Sequence, residues 1–141
     1  MATYNKHDQF IEDVMHGVHD FTATTGDAIT AYLTNTAPTA ANAVLADLTS
    51  PVTANLSSMV FPAATRTSGQ TSGTYTLLLP DLTLTASGAV GDFRYAGIYN
   101  DTPAGPVDPL IAWWDYGSTI TGMASGETFT YTFTTSTFTA A

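Results

Sequence analysis

The ten residues "ETFTYTFTTS", Glu127 to Ser136, constrain the fold more than any other stretch of the chain. Phe129, Tyr131 and Phe133 fall on one side of an extended backbone, and Thr128, Thr130, Thr132 and Thr134 on the other. Successive side chains of a strand point to opposite faces, so alternation this strict means one buried face and one wet face. The three rings are expected to be buried together, and replacing Phe133 with Ala to cost about 3–5 kcal/mol.

Further strands follow from the same reasoning. "AITAYLTN" sets Ile29, Ala31 and Leu33 against Thr30, Tyr32 and Thr34; "TYTLLLPDLTLTASG" holds two strands, Thr74 to Leu79 and Leu82 to Ala86, interrupted at Pro80. "DFRYAGIYN" and "PLIAWWDYG" each add one. Thr makes up roughly a fifth of the chain and only 11% of residues are charged. As a β-branched residue Thr suits a pleated, solvent-facing surface. Short strands separated by Gly, Pro and Asn turns predict a mainly β fold, an antiparallel β-sandwich of jelly-roll type.

One segment breaks the strand pattern. "DQFIEDVMHGVHDF" spaces Phe10, Ile11, Val14, Val18 and Phe21 by three and four, which predicts a short amphipathic helix over residues 8–21, capped by Asp8 and weakened in its middle by Gly17. The flexible "TATTGD" then separates residues 1–27, an N-terminal arm or docking helix, from a β-sandwich domain over residues 28–141. "TAPTAANAVLADLTSPVTAN" has no firm period and reads as a long connection with one short helical turn. At 141 residues the chain holds one core-forming domain and shows no internal repeat.

Charge narrows the partners. Only Lys6, Arg66 and Arg94 offset twelve acids, for a net charge of −9, which argues against surfaces that neutralise nucleic acid or anionic lipid. There is no cysteine, hence no disulfide or thiolate site. No apolar run approaches the roughly 20 residues of a membrane span, and "MATYNKHDQF" lacks the order of a signal peptide, so the expectation is synthesis in the cytosol without membrane attachment.

The search for chemistry ends mostly in ordinary structural readings. Glu12, His16 and His19 share helical spacing, yet no His exists downstream to complete a metal site, so a solvated helix face is expected and no metal or other cofactor. Asn100, Asp101 and Asp108 offer hard oxygens without the spacing of a calcium loop, and turn chemistry explains them better. Asp92 and Asp115 are the only carboxylates near strands for glycoside hydrolysis. There is no "GxSxG" turn and no phosphate-cradling loop, so no catalytic residue is assigned and a non-enzyme is expected.

What remains is a contact surface. Trp113 and Trp114 are adjacent on a strand, so one faces inward and the other outward, where it anchors an interface or stacks on a sugar ring; an interface is favoured. Tyr116 lies beside them, and the loop "NDTPAGPVDP" is braced by Pro103, Pro106 and Pro109. Trp113, Trp114, Tyr116, Pro103 and Pro106, with Phe10 and Val14 of the helix, form the candidate interface set.

Taken together, "LTNTAPTAANAVLADLT", "FRYAGIYNDTP" and "DPLIAWWDYGSTIT" with "GETFTYTF" resemble a family of small virion proteins of tailed bacteriophages. The likeness runs from Phe10 to Phe133 and carries no catalytic residues. It implies a structural component of the particle, made in the host cytoplasm and placed on the capsid surface. The expected role is a capsid decoration (cement) protein that binds and stabilises the major capsid protein as a homo-oligomer, with a trimer as the specific expectation. A tail or neck component and a carbohydrate-binding, host-adhesion module are the alternatives.

Overall fold

The computed structural model describes residues 2–140, so the expected unit ends at Met1 and Ala141 lie outside it. In chain order the elements are β1 (Thr3–Lys6), α1 (Gln9–Met15), β2 (Ile29–Thr34), β3 (Thr67–Thr71), β4 (Thr74–Leu78), β5 (Leu82–Thr85), β6 (Phe93–Asn100), β7 (Leu110–Ile120), β8 (Thr128–Tyr131) and β9 (Phe138–Ala140). The fold is mainly β with one short helix, and every strand pairing is antiparallel.

A central sheet has the order β1-β7-β6-β2, and two smaller ladders have the orders β3-β4-β9 and β5-β8. One apolar core joins all three: Ile29, Ala31, Leu33, Ala96, Ile98 and Ala112 of the central sheet pack with Leu77, Leu82, Leu84, Tyr131 and Phe138 of the ladders. This is a layered β arrangement, but the second layer is split into three and two strands, and these orders do not reproduce the paired four-stranded sheets of a jelly roll.

The aromatic alternation near the C-terminus becomes β8, paired with β5 so that Phe129 faces Leu84 and Tyr131 faces Leu82. Tyr131 is buried, and its hydroxyl donates to the Tyr32 carbonyl at 2.9 Å. Phe133 lies beyond the strand and is only half-buried, so the cost expected for its loss shrinks.

The other face of the central sheet is covered without strands. Tyr32, Leu110 and Trp113 pack there against Leu48, with Ala40 and Leu45 of the long connection beside them. Every residue of β2 is therefore buried, the Thr30, Tyr32 and Thr34 face as well as the Ile29, Ala31 and Leu33 face. The same connection caps the outer edge of β2: Ala31 donates to the Met59 carbonyl, Phe61 to Ile29 and Val52 to Leu33, at 2.8, 2.9 and 2.7 Å. The helical turn expected in it is a 3-10 turn at Leu45–Asp47, and a second follows at Ala63–Thr65. Gly97 lies under the Tyr32 ring, where any added Cβ meets ring atoms, so the close approach requires glycine.

The N-terminal segment is built into the fold and is not a separate arm. β1 pairs with β7 from Thr3↔Asp115 to Lys6↔Ala112, and Phe10 and Phe21 are core residues. The helix is also shorter than its apolar spacing suggested. Gly17 does not sit mid-helix; at φ +72° it follows the helix end, donates to the Val14 carbonyl and turns the chain back. Asp8 makes no side-chain cap bond, and its amide donates to Ala40. Among the described residues no helix is long and apolar enough to cross a membrane.

Candidate functional site: an aromatic groove beside the edge strand

The register of β1 on β7 separates the two tryptophans. Asn5 stands opposite Trp113 and Tyr4 opposite Trp114, and strand alternation sends the two indoles to opposite faces. Trp113 turns toward the long connection and is buried, its ring 4.4 Å from that of His7, which removes it from the interface set. Trp114 is half-buried, with Tyr4 at 5.8 Å and Phe133 at 5.4 Å between ring centroids.

Tyr116 shares the Trp114 side of β7, is 56% exposed and meets Phe129 edge-on at 6.1 Å. Trp114, Tyr116, Phe129 and Phe133 thus line a groove of about 430 Å³, bordered by Ala96 and by Thr130, Thr132 and Thr134. The groove holds no carboxylate or imidazole. What it offers is ring faces and hydroxyls. Sequence reading found Trp114 and Tyr116 but missed Tyr4, because "TYNK" is too short and polar to announce a strand.

On the reverse face of β7 Asp115 forms a two-pronged pair with Arg94, Nε to Oδ1 and Nη2 to Oδ2 at 2.8 Å each. The guanidinium, with the Gly117 amide, holds the Asp115 carboxyl below its ordinary value. Arg66 is buried and donates to the Asp27 carbonyl, so Lys6 is the one exposed basic side chain without an ion pair among the described residues.

The remaining candidates lie elsewhere. Pro103 and Pro106 are half-buried in the β6–β7 loop, whose tip exposes Val107 at 61%. Asn100 makes the expected turn bond, its Oδ1 accepting from the Thr102 amide at 3.1 Å. Burial, then the neighbouring Asp101, raises the Asp108 carboxyl above its ordinary value. Phe10 is core and leaves the interface set, whereas Val14 is exposed at 38% beside Ile11 and Met15. Val14 and Ile11 flank a second cleft, about 590 Å³, walled by Phe10, Phe21, Tyr75 and Phe138.

The helix carboxylate and imidazoles part company: His16 Nδ1 stands 3.9 Å from Glu12 in solvent, while His19 turns into the core. Among the described residues no three His, Asp or Glu side chains gather where a metal ion would sit. No family model matches the chain, and no curated protein or solved structure matches it either.

Proposed function

We propose that this chain is a structural virion protein of a tailed bacteriophage, a capsid decoration protein that binds the major capsid protein and stabilises the shell as a homo-oligomer. The aromatic groove carries the reading: Trp114, Tyr116, Phe129 and Phe133 gather beside an edge strand, with hydroxyls in place of acid–base groups. Large rings that are partly desolvated before contact are the residue types that dominate binding energy at protein interfaces. Acidic charge supports the outer side of a shell over a face turned to packaged DNA. With so few cations, contact relies on apolar area, so binding tolerates salt better than a charge-steered encounter.

The test is binding to particles that lack the protein. Added protein is expected to restore their resistance to heat, in low and high salt alike, and Trp114→Ala to weaken attachment by at least about 2 kcal/mol, roughly thirtyfold. Particles equally robust without it, or cryo-electron microscopy density confined to the neck or tail, overturn the decoration role. Binding of Trp114-dependent glycans in place of shell protein moves the assignment to adhesion.

A further inference from the structure

Behind the second cleft, three side chains tie the chain that follows α1 to the end of β6. Asn100 is fully buried, and its Nδ2 donates both to His19 Nδ1 at 3.0 Å and to Asp27 Oδ2 at 2.6 Å. Between those residues the chain closes on itself: Asp27 donates to the Asp20 carbonyl at 2.7 Å, Asp20 to Asp27 Oδ2 at 2.8 Å and Gly26 to Thr22 at 2.9 Å. The His19 ring stacks on Phe21, tilted 18° at 5.4 Å, and lies 5.3 Å from Phe10.

The network dictates a tautomer. Asn100 Oδ1 is committed to the Thr102 amide, and its Nδ2 to the Asp27 carboxylate. Turning the amide over would set oxygen against carboxylate and NH2 against N–H, so the orientation is fixed by chemistry. His19 Nδ1 must then accept, the proton sits on Nε2, and the ring is neutral.

Protonation would place a second N–H on Nδ1, facing the Asn100 N–H that now donates to it. Turning the Asn100 amide over would break its bonds to Thr102 and Asp27, so the contact turns from attractive to repulsive. We propose that His19, Asn100 and Asp27 form an acid-sensitive latch, which fastens residues 16–27 against the end of β6 at neutral pH and releases them when His19 is protonated. His19, Asp20, Phe21, Thr22 and Ala23 all line the second cleft, so release uncovers its Phe10 and Phe138 floor. The inference is independent of the docking role proposed above.

The groups facing the ring from each neighbouring element bear on the sign. Asp13 comes from α1 and Asp27 from the chain before β2; Asp20 and Arg66 lie one step further out, around Asp27. Both carboxylates favour the cation, but burial outweighs them and pulls the imidazole below its ordinary 6.5. The folded state therefore binds its proton less readily than the unfolded chain. The latch contributes its full stability above about pH 6.5 and loses it as pH falls through the lower folded value. Burial lowers His7, the other buried imidazole, to about 4, so a transition completed well above that pH is not its own.

Ring-nitrogen NMR of the labelled protein near pH 7.5 is expected to show His19 protonated at Nε2; protonation at Nδ1 overturns the latch. Amide exchange provides the second readout. From about pH 7.5 to about pH 5, protection of Gly26, Asp27 and Asp101 should fall by about tenfold, as the loss of a buried hydrogen bond gives, while Ile98 and Ala112 hold. Unchanged protection, or a parallel fall in the central sheet, overturns it. His19→Asn keeps an acceptor near the Nδ1 position without a titrating ring and should retain protection at both pH values; a fall that persists in this variant assigns the transition to another group and overturns the proposal. Should His19→Asn not fold, the wild-type tautomer and exchange results decide.

Discussion

The two faces of the central sheet are closed by different means. On one, the β3-β4-β9 and β5-β8 ladders lay aromatic and aliphatic side chains over Ala31, Ile98 and Ala112, and their backbone groups pair in regular register. On the other, Ala40, Leu45 and Leu48 of the long connection pass over Tyr32 and Trp113, with no strand and only a short 3-10 turn at Leu45–Asp47. Such a cover has no ladder to satisfy its peptide groups. Side chains share the task with single backbone bonds such as Leu45 to the Asp108 carbonyl and Leu110 to the Ala43 carbonyl: Asp47 accepts from the Ala43 and Val44 amides at 2.8 and 3.1 Å, Asn42 from Thr39 at 2.8 Å, and Thr34 donates to the Thr49 carbonyl at 3.1 Å. His7 is sealed beneath it. The strand-closed face is dry and held by packing, whereas the loop-closed face depends on individual polar bonds and on a neutral imidazole.

Substitutions weigh the two sides against each other. Phe93→Ala, on the strand-closed side at 1% exposure, is expected to cost about 3–5 kcal/mol in denaturant unfolding. A cost near that of a surface change would mean the ladders are loosely packed. Acid should act next. Burial pushes His7 down to about 4 from an ordinary 6.5, so its contribution is complete above about pH 6.5 and is lost as pH falls toward 4, up to about 3 kcal/mol in all. Trp113, 4.4 Å from the His7 ring, reports the event: its fluorescence in a Trp114→Phe background should change with a midpoint near 4. A midpoint at the ordinary imidazole value would show the cover to be open to water.

Leu48→Ala tests the cover itself and should cost about 2 kcal/mol, at the low end for a buried leucine, since an irregular segment collapses into a cavity more readily than a ladder does. A loss matching Phe93→Ala would erase the distinction between the faces. Smallest of all, Phe133→Ala should cost about 1–2 kcal/mol, because that ring is only half removed from water and sits past the end of β8.

The elements that were legible are those whose burial leaves a period or an apolar run. β8 shows the period in its alternating rings and threonines, while β6 and β7, buried on both faces over Ala96–Ile98 and Leu110–Trp113, show the run. β2 shows a period too, but a misleading one: Thr30 and Thr34 are buried by the long connection, and a threonine reads the same whether it faces water or a loop. β1, β3 and β9 went unseen because "TYNK", "TSGQT" and "FTA" are short and mostly polar, and they pair because long-range partners select them. At the groove, the adjacent indoles declared that they diverge, but only the Tyr4↔Trp114 register decides which one borders the surface. Phe10 was misplaced for a similar reason: helical spacing gathers it with Val14, although only Phe10 lies against the ring cluster of Phe21 and Phe138.

The pairing of Thr3 with Asp115 also sets a schedule for the nascent chain. Among the described residues β1 is the first strand made, yet its only ladder partner there is β7, more than a hundred residues later. At roughly 5–20 residues per second, that partner follows after about 5–20 s, and until then "TYNK" must remain an unpaired tail. The Tyr131 hydroxyl that closes on Tyr32 arrives later still. Closing such distant pairs is entropically slow, so the central sheet is completed only after β7 has been made, and β1 is the edge that waits longest for its partner.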